Sequence, residues 1–221
     1  MGTFALIHGA GDVGWYWHLV EAELRQRGHD VVAPDLPCDD DSAGLREYTD
    51  VVVDAIGDRA ELVVVAQSFA GFVAPLVCVR LPVELLVLVA GLIPAPGEAA
   101  RDWWANTRHE PAPGARSGDV SATFYHDVPP ELTAEALKRG RAQSETPTQE
   151  PWPLEAWPDL PTRFVLCRDD RLLPADFLRR VVRERLGIVA DEIEAGHCVA
   201  LSRPKGLAKR LDDYLASQTA G

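Results

Sequence analysis

Positive charge is what this chain has least of. Against 34 acidic residues stand 22 basic ones, only three of them lysine, giving a formal net charge of -12 over 221 residues. Phosphate backbones and anionic lipid surfaces are held by clustered Lys and Arg, so neither a nucleic-acid nor a membrane partner is expected. Apolar runs long enough to cross a bilayer are also missing, and the opening "MGTFALIHGA" carries no basic stretch of a secretory leader. A cytoplasmic protein is the expectation. Cysteine is scarce too. Cys38, Cys78, Cys167 and Cys198 show no C-x-x-C spacing, and Cys78 and Cys167 sit inside apolar runs, which argues against a zinc site or a disulfide framework. No metal and no cofactor is expected.

What remains is ordinary globular composition, 47% hydrophobic and 25% charged, and a length that favours one domain. Short apolar runs alternate with segments of helical spacing. Strands are expected at 3–8, 30–37 (broken by Pro34), 61–66, 83–91, 162–168 and 191–196. Helices are expected at 15–28, 45–58, 69–81, 174–187 and 203–217. Alternation of this kind predicts an α/β fold of about six mainly parallel strands flanked by helices. Residues 92–161 break the rhythm, holding eleven of the seventeen prolines and four of the six tryptophans. Seventy structureless residues would be anomalous in a compact domain. The segment is therefore expected to be a folded lid inserted between the core segments 1–91 and 162–221, with a helix at 129–143 capped by Thr133 or an earlier residue.

The stretch "VVAQSFAG" (64–71) carries the first chemical signal. Ser68 follows an apolar strand and precedes a helical segment, the context of a nucleophile elbow, although Ala66 and Ala70 stand where the G-x-S-x-G pattern has glycine. The flanking residues must be small because strand and helix pack closely there, and alanine adds only one methyl. A serine hydroxyl needs a base within hydrogen-bond reach. Of the six histidines, His18 lies in a helix, His29 in a turn, His109 and His126 in the lid, and His8 in the "HGAG" loop. Only His197 follows a late strand and precedes the last helix, on the sheet edge where open α/β folds bind ligands. The base needs an acid to fix its tautomer, and "CRDDRLLP" offers Asp169 and Asp170 in the order Ser…Asp…His.

An oxyanion hole requires two backbone N–H groups. Phe69, the residue after the serine, is expected to give one, and the glycine-rich loop "HGAGDVG" after the first strand the other. The same loop fits G-x-G-x-x-G at 9–14, the dinucleotide-binding spacing, with Asp35 as the candidate ribose ligand. The prolines of "APDLP" make that a poor match.

Taken together, "LIHGAGDVGWYW", "RDDRLLP" and "GHCVALSRPKGLAKRL" resemble the α/β-hydrolase superfamily over nearly the whole chain, in particular the plant methyl-ester esterase and hydroxynitrile lyase group and its bacterial esterase relatives. The resemblance implies Ser68 as nucleophile, His197 as base and Asp170, rather than Asp169, as acid. Ala10 and Phe69 would supply the oxyanion N–H groups. It also implies a compact member lacking the first two strands of larger relatives. The cyanogenic lyases of the group resemble one another in a threonine and a lysine at the positions of Gly9 and Cys198, so the lyase activity is not expected.

The expected function is a serine hydrolase acting on a small, largely apolar ester, lactone or thioester. A cyclase or acyltransferase using the same three residues, and a non-catalytic ligand-binding module, are the alternatives. Trp103, Trp104, Phe124, Tyr125 and His126 are candidate pocket liners. A small-molecule substrate is the expected partner, with a homodimer left open.

Overall fold

The computed structural model describes residues 1–110 and 118–219; residues 111–117, within the expected lid segment, and 220–221 lie outside the described residues. One sheet is built from β1 Thr3–Ile7, β2 Asp30–Val32, β3 Leu62–Gln67, β4 Val83–Val89, β5 Thr162–Cys167 and β6 Asp191–Ile193, in the order β2-β1-β3-β4-β5-β6. Every pairing is parallel. Among the described residues the α-helices are α1 His18–Gln26, α2 Leu45–Ile56, α3 Ala74–Cys78, α4 Ala100–Asn106, α5 Val120–Phe124, α6 Pro130–Arg139, α7 Thr146–Gln149, α8 Ala175–Leu186, α9 Val199–Ser202 and α10 Pro204–Thr219.

Parallel strands are joined by crossovers that cover both faces of a sheet, so central strands read as unbroken apolar runs. All six residues of β3 are buried. Leu62, Val64 and Ala66 pack into one core with residues of α2, α3 and α8, while Val63 and Val65 pack into the other with residues of α1, α9 and α10. Adjacent side chains point to opposite faces, which is why one short strand serves two cores.

The chain starts at β1, steps to β2 on one side, then crosses back to β3 on the other. Strand order reverses between β1 and β3, and such a reversal opens a crevice beyond the carboxyl ends of the strands. Ile7 pairs with Ala66, so the loops that follow β1 and β3 emerge side by side. The loops after β5 and β6 leave from the same edge.

Several expected boundaries shift for local reasons. β2 ends at Val32 rather than residue 37, ahead of Pro34, and β6 ends at Ile193. The helix expected at 69–81 is two pieces, a 3-10 turn at Ser68–Phe72 and α3. Pro75 has no N–H and its ring would meet the carbonyl one turn back, so the helix restarts there. α6 ends at Arg139, not 143, because the next residues turn to bond elsewhere. Arg141 N–H donates to Gly11 O at 2.7 Å and Ser144 N–H to Cys38 O at 2.7 Å. Thr133 does not cap α6; its hydroxyl donates back to Pro129 O at 3.2 Å. Among the described residues no helix is long and apolar enough to cross a membrane.

The chain between β4 and β5 carries α4 to α7 and is fastened to the core. Trp103 Nε1–H donates to Ile93 O at 2.9 Å, and Trp152 Nε1–H to Phe72 O at 3.1 Å. The guanidinium of Arg185 on α8 grips the buried carboxylate of Glu98, with one N–H···O contact at 2.8 Å.

Candidate functional site

Ser68 stands directly after β3 with φ +53, left-handed backbone that a non-glycine residue holds at a cost of about 1–3 kcal/mol. Its surroundings leave the chain no other course. Ser68 O accepts the Leu92 N–H at 2.9 Å, and a Cβ on Gly71 would fall 1.9 Å from Leu92 O. The close approach of that loop fixes glycine at 71, whereas Ala66 and Ala70 are accommodated fully buried. Phe69 lies in the first turn after the serine, where N–H groups have no intrahelical partner.

His197 and Asp170 come from the loops after β6 and β5. His197 Nδ1 and Asp170 Oδ2 are 2.7 Å apart, and the two residues are only 2% and 3% exposed. A carboxylate can only accept, so the ring proton resides on Nδ1 and Nε2 is left as the basic nitrogen. The other Asp170 oxygen accepts the N–H groups of Leu172 and Leu173 at 2.8 and 2.9 Å, which fixes the carboxylate in the turn. Phe124 packs edge-on against the His197 ring with centroids 5.3 Å apart. Asp169 is exposed, and its carbonyl lies 2.9 Å from His126 Nε2, outside the cavity. No hydrogen bond joins Ser68 to His197 among the described residues, although both line the same cavity.

The loop after β1 is held by groups far away in the chain. His8 is fully buried. Its Nδ1 lies 2.8 Å from Gly9 O, and its Nε2 accepts the Leu36 N–H at 2.9 Å. Burial lowers the imidazole to about 4, against smaller opposing effects of Gly9 and Asp35; it is a neutral brace, not a base. Gly11 N–H donates to Gln143 Oε1 at 2.9 Å, and Gly14 N–H to Asp35 Oδ1 at 2.7 Å. Asp35 Oδ2 in turn pairs with Arg141 at 2.9 Å. These bonds occupy the amides and the acid that a dinucleotide loop would present to its ligand. The Ala10 N–H, by contrast, donates to nothing among the described residues.

Ser68, His197, Ala10 and Phe69 all line one cavity of about 400 Å³. Seven further lining residues come from the chain between β4 and β5: Leu92, Ala100, Arg101, Trp104, Phe124, Tyr125 and Thr148. Trp104, Phe124 and Tyr125 are thus where the sequence reading put them. Trp103 is not, and that expectation is corrected. Its ring is fully buried in the core and stacks edge-on with Phe177 at 5.7 Å; its neighbour on α4 points about 100° away round the helix and takes the cavity side. His126 is corrected too, since it turns outward to the Asp169 carbonyl. His109 Nε2 lies 2.6 Å from Leu172 O. Asp12, Gln67, Leu172 and Cys198 also line the cavity, and no motif in the sequence marks them as liners. Burial, then the carboxylates of Asp12, Asp170 and Asp127, push the Cys198 thiol well up, so it stays protonated and is no rival nucleophile.

Comparison with known proteins agrees with this architecture. The sequence pattern described as "Alpha/beta hydrolase family" matches residues 4–210. The chain is 25% identical to probable esterase PIR7A of Oryza sativa and 22% identical to methylesterase 7 of Arabidopsis thaliana, each over 94% of both chains. Among solved structures it superposes on a pyrethroid hydrolase of Sphingobium faniae JZ-2 with a TM-score of 0.82 at 23% identity, covering 100% of this chain and 99% of the other. On polyneuridine aldehyde esterase the TM-score is 0.83 at 18% identity, over 97% and 99%. The likeness to plant esterases drawn from the opening motif is borne out, and the chain belongs to the alpha/beta hydrolase family.

Proposed function

We propose that this protein is a carboxylic-ester hydrolase that cleaves a small, largely apolar ester, lactone or thioester through an acyl-enzyme on Ser68. One observation carries the reading: a buried His197–Asp170 pair and a serine held at φ +53 line the same cavity. The names of its plant and bacterial relatives, esterases and a pyrethroid hydrolase, agree with it.

In this reading the Ser68 hydroxyl attacks the acyl carbon while His197 Nε2 takes its proton. The negative charge that develops on the carbonyl oxygen is met by the N–H groups of Ala10 and Phe69, donors fixed by the backbone before the reaction begins. Asp170 holds the ring in the tautomer that leaves Nε2 free and stabilises the imidazolium. His197 returns the proton to the leaving alcohol, whose bond to the acyl carbon breaks. Water then enters, gives a proton to His197 and attacks the acyl carbon; the bond from that carbon to Ser68 Oγ breaks, His197 returns the proton to Ser68, and the acid leaves. The chain between β4 and β5 acts as the lid, and Trp104, Phe124 and Tyr125 supply the apolar surface that selects the substrate.

Ser68→Ala is the direct test. Turnover of short-chain aryl esters should fall to background while circular dichroism and melting temperature stay within error of the parent. Hydrolysis that persists in a folded Ser68→Ala protein would remove the serine mechanism.

A further inference from the structure

One wall of the candidate cavity carries an acid that acyl transfer does not use. Asp12 lies in the loop after β1 and lines the cavity together with Ala10, Ser68 and Tyr125. Its Oδ1 accepts the Val13 N–H at 2.9 Å, and its second oxygen has no protein donor among the described residues. No Lys, Arg or His pairs with it there. Arg101, on the same cavity, is paired at 3.8 Å with Asp102 on the exposed side of α4. The groups that act on it electrostatically are Asp35 after β2, Cys38, Tyr16 before α1, Tyr125 after α5 and Cys198 before α9; the nearby Arg141 is committed to Asp35, and His197 across the cavity to Asp170. Burial raises the carboxyl to about 6, opposed by the Val13 N–H and reinforced by the like charge of Asp35. At neutral pH it is therefore a half-buried anion without a counter-charge, a costly arrangement unless a ligand completes it.

We propose that Asp12 is a specificity-determining residue that receives a protonated amine of the substrate, so that the preferred esters have a compact apolar body and one basic nitrogen. This rests on the ester-hydrolase reading above and names the substrate class of the same site. Phe69, Leu92, Trp104, Phe124 and Leu172 would enclose the apolar body, and the ammonium would form a charge-assisted hydrogen bond with the free oxygen of Asp12. An analogue lacking the amine would leave that half-buried carboxylate without a counter-charge, which is how a polar site rejects isosteres. The net charge of -12 acts in the same direction, drawing cations and repelling anions.

The test uses two isosteric pairs in which a dimethylamino group replaces an isopropyl group. On the alcohol side these are 2-(dimethylamino)ethyl acetate and 3-methylbutyl acetate; on the acyl side, ethyl 3-(dimethylamino)propanoate and ethyl 4-methylpentanoate. Hydrolysis at pH 7.5 is followed by chromatography of the acid released. At least one amine should exceed its isostere in kcat/KM by roughly tenfold to a hundredfold, the worth of one hydrogen bond to a charged group. In Asp12→Asn, which keeps the shape and the bond to Val13, that ratio should fall to about one. Amines turned over no faster than their isosteres, or a preference that survives Asp12→Asn, would overturn the proposal. A second measurement needs neither the variant nor turnover: 2-(dimethylamino)ethanol should bind the parent protein at least tenfold tighter than 3-methylbutanol, and equal binding overturns the proposal. Hydrolysis of all four esters without preference sinks the role of Asp12 alone. Failure to hydrolyse any of them, with Ser68 unreactive, sinks the hydrolase reading while the alcohol comparison still judges Asp12.

Discussion

Replacing Asp170 by asparagine should abolish most activity without unfolding the protein, and the reason lies in how its two oxygens are committed. One accepts the Leu172 and Leu173 N–H groups at 2.8 and 2.9 Å, and the other faces His197 Nδ1 at 2.7 Å. An asparagine must keep its oxygen toward the two backbone donors, because an NH2 group there would oppose them. Its NH2 then faces the imidazole and forces Nδ1 to accept. The ring proton moves to Nε2, the nitrogen that has to take the serine proton, so the base is disabled in place. The imidazolium of the transition state also loses its counter-charge. Unit charges at this separation with an effective dielectric near 20 interact by about 4–6 kcal/mol, which corresponds to about three to four and a half orders of magnitude in kcat. Steady-state hydrolysis of an activated aryl ester reads the effect, and circular dichroism confirms the fold. Asp169→Asn is the matched control, expected within about threefold of the parent because its side chain is exposed and surface changes act weakly. If Asp170→Asn kept a tenth of the parent rate, or Asp169→Asn lost as much as its neighbour, the assignment of the acid would be wrong.

Asp12 should also write its burial into the pH dependence of stability. Its folded value, about 6, lies above the ordinary 3.8, so the stability contributed by its protonated form is full below about pH 4 and lost as pH rises through 6. Urea unfolding should therefore show Asp12→Asn gaining on the parent between pH 4 and 7.5, by up to about 3 kcal/mol; a constant difference across that range would contradict the burial argument. Gly71→Ala would place a methyl against Leu92 O and should lower stability by about 1–3 kcal/mol or more, read as a lower urea midpoint. Ala70→Gly, which restores the glycine of the elbow pattern, should lose about 0.5–1 kcal/mol without raising kcat more than twofold. Gln143→Ala removes the acceptor of Gly11 N–H and the partner of the Tyr48 hydroxyl. It should lower kcat about tenfold with KM little changed, since the loop bearing Ala10 loses its brace; an effect confined to KM would place Gln143 elsewhere in the mechanism.

The strand-and-helix order was legible because buried parallel strands leave short, β-branched apolar runs such as Leu62–Ala66 between segments of helical spacing. Ser68, Asp170 and His197 were legible because each follows a strand by one to four residues on the same sheet edge, so the topology that creates the crevice also spaces them in sequence. Side-chain direction was less accessible. Trp103 and Trp104 are adjacent, both aromatic and both on α4, yet one fills the core and the other the cavity, a distinction that depends on where a short helix begins. The brace on the first loop was invisible for another reason. Gly11 and Gln143 are 132 residues apart, and no local pattern marks a side-chain amide that bonds so far away. Asp12 did leave a trace: an acid between "HGAG" and "VGWYW" interrupts an otherwise uncharged stretch.

The central claim is that Ser68 is a nucleophile made reactive by His197 and by fixed N–H donors, and a fluorophosphonate probe tests it most directly. Attack by the serine oxygen on phosphorus expels fluoride and leaves a covalent adduct, a reaction that needs nucleophile, base and oxyanion donors together. Intact-mass measurement should show one adduct per chain, peptide mapping should put it on Ser68, and labelling should vanish in Ser68→Ala and slow by orders of magnitude in Asp170→Asn. A folded protein that takes up no probe, or carries it on another residue while hydrolysing esters, would contradict the account.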